Sequence, residues 1–139
     1  MTQRLNGTTA QMIYRIIDIV IIVFHTSLIF FNLFGWIWRK TRLYNLITLS
    51  ITGSSWLFLG LIFGTLGYCP LTDWHFNILN KLGETDLPAS YVKYIIERLT
   101  GLNINALLVD KITLFSFLAA LVLSLAFNTR DLIRRKKLN

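Results

Sequence analysis

Three apolar blocks constrain this chain more than any other feature. They cover residues 16–38, 43–68 and 107–128. Each exceeds the roughly 20 residues that a helix needs to cross about 30 Å of hydrocarbon. The only charges in the third block, Asp110 and Lys111, lie near its start. Composition points the same way: with 54% hydrophobic and 15% charged residues in 139, there is too little polar surface to cover a soluble globule. The pattern predicts an all-α integral membrane protein, a single domain over 1–139. Its core is a three-helix bundle, with helices near 12–40, 43–68 and 105–134.

The basic residues orient the bundle. The turn Arg39-Lys40-Thr41-Arg42 has three cations in four residues, and 130–137 has five against Asp131. Between spans two and three, Lys81, Lys93 and Arg98 face Asp73, Glu84, Asp86 and Glu97. The positive-inside rule therefore puts the tight turn and the C-terminus in the cytoplasm, with the N-terminus and 69–105 outside. Trp36, Trp38 and Tyr44 suit the inner interface, and Tyr14, Tyr68 and Trp74 the outer. The net charge of +7 is then topology and lipid attraction. Because the cations flank spans instead of forming an aromatic-interleaved patch, no nucleic-acid partner is expected. The first block is too long and its end too bulky for a cleaved signal peptide, so span one is expected to stay in place.

The outer segment 69–105 has its own periodicity. Pro70 closes off helix geometry, so span two is expected to stop there and Thr72 or Asp73 to cap a short helix near 73–82. Trp74, Ile78, Leu79 and Leu82 form its apolar face, and Gly83 its stop. Pro88 suits the first turn of a second helix near 88–100, with Tyr91, Val92, Ile95, Ile96 and Leu99 opposite Lys93, Glu97 and Arg98. Two amphipathic helices lying on the bilayer, or folded over the bundle mouth, fit this pattern.

Polar residues inside the spans narrow the search for a site. Asp18, His25 and Asn32 recur every seven residues, so they line one face of span one. Ionisable groups in a bilayer face protein or a water-filled cavity, so this face is either a polar track or a helix contact, with Ser54, Ser55 or Ser116 at the depth of His25. Asp18 lies level with Asp110, under the outer segment. With Cys69, Thr72, Asp73 and His75 it outlines an outward-facing polar mouth. In span two, Gly60 and Gly64 form a GxxxG pair with Gly53 a heptad earlier, which predicts close helix packing within the chain or in a homo-oligomer.

A histidine in the first span, a basic turn, a glycine- and aromatic-rich second span and the run Gly67-Tyr68-Cys69-Pro70-Leu71-Thr72 together resemble a family. It is the bacterial membrane family catalogued as domain of unknown function 2784. The likeness covers roughly residues 16–125. The family usually has glutamate where this chain has His75, and often a histidine where it has Asn45. The resemblance implies a fold and a bacterial inner membrane, and no activity.

Cys69, the single cysteine, and the two histidines, His25 and His75, are the candidates for chemistry. A thiol nucleophile would need His75 or a helix N-terminus beside Cys69, and no oxyanion-stabilising motif accompanies it. Cys69, His75, Asp73 and Asp18 match no standard metal spacing, and His25 and His75 lie at different depths, against a bis-histidine haem. No metal and no cofactor are therefore expected. The sequence favours a non-enzymatic binding or accessory subunit that takes a lipid or a membrane-protein partner at the outer mouth. The alternative is a membrane enzyme or redox protein using Cys69 and His75; a transporter is a weaker third reading.

Overall fold

The computed structural model describes residues 2–65 and 67–138. It is helical, and no strand occurs among the described residues. Helix α1 covers Thr2–Phe34 and α2 Arg42–Ser54. A π-helical turn, Ser55–Leu59, joins α2 to α3, Gly60–Phe63. Helices α4 (Pro70–Lys81) and α5 (Tyr91–Thr100) precede the long α6, Ala106–Leu138. Three stretches are long and apolar enough to cross a membrane: Gly7–Phe34, Arg42–Phe63 and Ala106–Lys137. Large apolar side chains such as Ile16, Phe24, Ile51, Leu61, Phe115 and Val122 point outward, as lipid requires and water does not tolerate.

Span one meets span two through a turn whose backbone groups are satisfied by side chains. Thr41 Oγ1 donates to Gly35 O at 2.7 Å, Trp36 Nε1 to Leu33 O at 2.7 Å, and Arg42 Nε to Trp36 O at 2.9 Å. Asn45 is fully buried and donates to Phe31 O at 2.7 Å and Asn32 O at 3.1 Å. Gly35 sits under this amide. A Cβ there would lie 2.6 Å from Phe31 O and 2.9 Å from Asn45 Nδ2, so only glycine fits. Arg42 ties the turn to α6 by a 2.9 Å ion pair with Asp131 and by lying over the Phe127 ring. Above it, Leu49, Phe117 and Ala120 make a small core with Leu33, Trp36, Trp56 and Leu121. Lipid tails are as apolar as these residues, so cohesion here comes from close packing and buried amide bonds worth about 1 kcal/mol each.

The other end of the bundle departs from expectation. Helix α3 stops at Phe63, not 68, because Gly64 takes a left-handed conformation (φ 72°). The chain then returns along the bundle, and Ser55 Oγ donates to Tyr68 O at 3.3 Å. Helix α4 begins at Pro70, with Cys69 as its N-cap residue; α5 begins at Tyr91 after the extended Ser90, so Pro88 is not in its first turn. The two short helices do not lie flat on a surface. From Cys69 beside His25, through His75 beside Asp18, to Lys81 over the Tyr14 ring, α4 runs antiparallel along α1. Helix α5 does the same, with Tyr91 on His25 and Arg98 on Asp18. Leu79, Tyr91 and Tyr94 are buried between them, packed on Ile29, Phe76, Leu82, Leu87 and Ile95. His25 lies ten residues from Gly35, roughly 15 Å along the helix, so α4 and α5 both start near half depth.

The glycine stripe is also corrected. A Cβ on Gly53 would meet Phe117 Cζ at 3.2 Å, and Gly60 is buried, but Gly64 has open space around it. Gly64 therefore ends a helix instead of packing against one. The intervening π turn adds residues per turn and takes Gly53 and Gly60 off a common stripe.

Candidate functional site

At the loop end of the bundle, Asp18 is the hub. Its helix places it about three turns inside the membrane-crossing stretch Gly7–Phe34, and it is buried. An isolated carboxylate there costs several kcal/mol. Two helices remote in sequence offset that cost. Arg98 grips it as a fork, Nη1 to Oδ1 at 2.9 Å and Nη2 to Oδ2 at 2.8 Å. His75 Nε2 reaches Oδ1 at 2.7 Å. His75 is 0% exposed, while the Arg98 side chain keeps 35% exposure and forms the outer surface of the cluster. Arg98 also donates to the Tyr94 hydroxyl. The hydrogen bonds that it donates to Asp18 hold the guanidinium above its usual value, so it stays charged.

One layer deeper, His25 stacks face to face on Tyr91 with ring centroids 3.9 Å apart. Both are only 6% exposed. Cys69 Sγ lies 3.9 Å from His25 Nε2, at the outer limit for a hydrogen bond to sulfur. Burial, then Tyr94, Asp18 and Cys69, push the Tyr91 phenol up and keep it neutral. Across the two layers, three buried polar atoms have no hydrogen-bond partner among the described residues: His25 Nδ1, His75 Nδ1 and the Tyr91 hydroxyl.

Above the hub opens a cavity of about 360 Å³ lined by Gln11, Arg15, Asp18, Ile19, Leu82, Glu84 and Arg98. Arg15 and Glu84 are exposed, and among the described residues neither makes an ion pair.

Of the mouth residues read from sequence, Asp18 and His75 meet directly. Cys69 stands beside His25, one layer below, not beside His75. Thr72 is half-buried and does not cap α4. Asp73 is exposed and accepts a 2.9 Å hydrogen bond from the Tyr68 hydroxyl, which raises that phenol; it is not the N-cap either. Asp110 is exposed and forms no ion pair. The face of Asp18, His25 and Asn32 is a helix-contact face along its whole length. Asn32 Nδ2 donates to Thr52 Oγ1 at 3.1 Å, and His25 finds Tyr91 and Cys69, not a serine. Sequence reasoning missed Arg98, Tyr94 and the site role of Tyr91. Their spacing, 91, 94 and 98, puts all three on one face of α5 and was the available signal.

Apolar spans joined by polar turns, with a buried ionic hub, define a multi-pass integral membrane protein. The chain belongs to the family described as Protein of Unknown function (DUF2784), whose model matches residues 15–129. No curated protein and no solved structure matches it.

Proposed function

We propose that the protein is a non-enzymatic binding or accessory subunit of a bacterial inner membrane, N-terminus outside and C-terminus in the cytoplasm. Its outward-facing mouth takes the headgroup of a phospholipid. The mouth itself is the observation that carries this reading. It sets a cation, Arg15, and a carboxylate, Glu84, neither ion-paired among the described residues, around a hub whose own charges are already paired. Ile19 leads from it onto the exposed apolar face of α1, where Ile16, Val20 and Val23 meet lipid. Phosphoethanolamine fits such a site, its phosphate on Arg15 and its ammonium near Glu84, with the acyl chains along α1. The basic turn and basic C-terminal helix support the orientation.

The test is lipid retention by the detergent-purified chain, read by native mass spectrometry and by thermal shift. Phosphatidylethanolamine is expected to bind and stabilise more than phosphatidylglycerol, and Arg15→Gln to abolish the difference. Equal effects of both lipids, with a membrane protein retained instead, would replace the lipid reading with that of a protein-binding subunit. The enzyme reading through Cys69 and His75 loses support because His75 is committed to Asp18 while Cys69 faces His25.

A further inference from the structure

We propose that Cys69 Sγ and His25 Nε2 form a two-coordinate site for a soft monovalent metal ion of the Cu(I) class. Their separation of 3.9 Å lies within a few tenths of an ångström of what one ion spans between a thiolate and an imidazole, taking zinc's bonds of roughly 2.3 and 2.0 Å as the reference lengths. It is a poor distance for the hydrogen bond that would otherwise explain the pair. The surroundings select the ion. Among the described residues no three histidine, cysteine, aspartate or glutamate side chains converge, so the site offers two ligands, which soft d10 monovalent ions accept and zinc does not. Charge selects it again. A thiolate, a neutral imidazole and a +1 ion sum to zero, whereas a divalent ion would leave a net charge at half depth in hydrocarbon, at a cost of several kcal/mol.

The pair is not a lone cysteine near a helix end. His25 is more than nine-tenths buried, keeps Nδ1 without a partner among the described residues, and is stacked on Tyr91, whose buried hydroxyl also lacks a partner there. The backbone supports the thiolate. Cys69 precedes the first turn of the twelve-residue α4, where the helix dipole and unpaired N–H groups favour negative charge. Binding exchanges one proton for one metal ion: the Cys69 S–H bond breaks, the S–metal and N–metal bonds form, and the proton leaves to water. No electron is transferred. The half-buried Cys69 gives the ion a way in.

The experiment titrates Ag(I), as an air-stable probe, and Cu(I) under reducing conditions into the full chain in detergent, against a competing chelator. One ion per chain is expected. Cys69→Ser and His25→Gln should each weaken binding by more than about a hundredfold. Tyr91→Phe, which keeps the stacking ring, should leave it within about tenfold. X-ray absorption on the loaded wild-type protein should show one sulfur and one nitrogen donor. That measurement needs no variant, so it decides the matter even if His25→Gln does not fold. Sulfur-only coordination, Zn(II) binding as tightly as Ag(I), or no binding at all would overturn the assignment. Lipid retention at Arg15 is a separate readout and stands or falls separately.

Discussion

At the turn end of the bundle, α1, α2 and α6 meet mostly through neutral groups (Asn45 on two carbonyls, Asn32 on Thr52, Asn128 on Arg42 O, and a small core around Leu49), with one ion pair, Arg42–Asp131, beside them. At the loop end the same α1 meets α4 and α5 through a carboxylate, a guanidinium and two imidazoles. The α1–α2 part of the first contact is local, between segments joined by a seven-residue turn, so a neutral amide suffices to fix it. The second gathers residues from three separate parts of the chain. A buried charge there is costly when unpaired and therefore discriminates strongly between the assembled and unassembled states. The turn end holds the bundle together, and the loop end decides whether the site exists.

The largest effect that should separate the two ends comes from Arg98→Leu. It leaves Asp18 buried with His75 alone. Breaking a buried pair costs about 3–5 kcal/mol, and the partial exposure of Arg98 puts this case near the lower limit. Helices α4 and α5 are expected to loosen while spans one to three remain. The readout is a sharp rise in Cys69 alkylation without loss of helical circular dichroism. If alkylation is unchanged, the ionic hub does not hold the loop end.

Next in size is Gly35→Ala, at about 2 kcal/mol, because the added methyl meets a carbonyl oxygen and the Asn45 amide. It should lower the unfolding midpoint and leave Cys69 protected, the reverse of Arg98→Leu. Combined with Arg98→Leu, its cost should add, since the two sites share no partner. Strong non-additivity would show the ends to be one cooperative unit. The smallest effect is expected for Asn45→Leu, about 1 kcal/mol, since buried side-chain hydrogen bonds in membrane bundles are individually weak. Midpoints in a mixed-micelle titration resolve such a difference, and a loss as large as that of Gly35→Ala would mean that the amide organises the whole turn.

Much of the turn end was legible in the residues. Span positions, the basic turn and the buried face of Asp18, His25 and Asn32 all follow from periodicity, which depends on a residue's own neighbours. The Asp18–His75 contact was among the pairings anticipated, because depth along a span limits what a buried aspartate can reach. The rest was hidden for physical reasons. Arg98 reads as the solvent face of an amphipathic helix, and only the folding of α5 against α1 turns it inward. Gly35 gives no pattern signal, because its necessity arises from an amide ten residues later in the chain. Gly64 resembled a packing glycine by spacing alone, while its backbone conformation, set where α3 ends, gives it another task. The π turn between them is invisible to any fixed period.

The distance in sequence between Asp18 and its guanidinium partner has a consequence for synthesis. Arg98 is made eighty residues after Asp18, and His75 fifty-seven. At about 5–20 residues per second, span one waits on the order of ten seconds before its carboxylate meets the full set of partners. During that interval Asp18 lacks both of the partners that bind it in the folded protein. The protonated acid, a lipid cation or the insertion machinery itself must shield it. The clamp closes only when α5 has emerged, which makes completion of the α4–α5 segment a checkpoint on the maturation of the first helix.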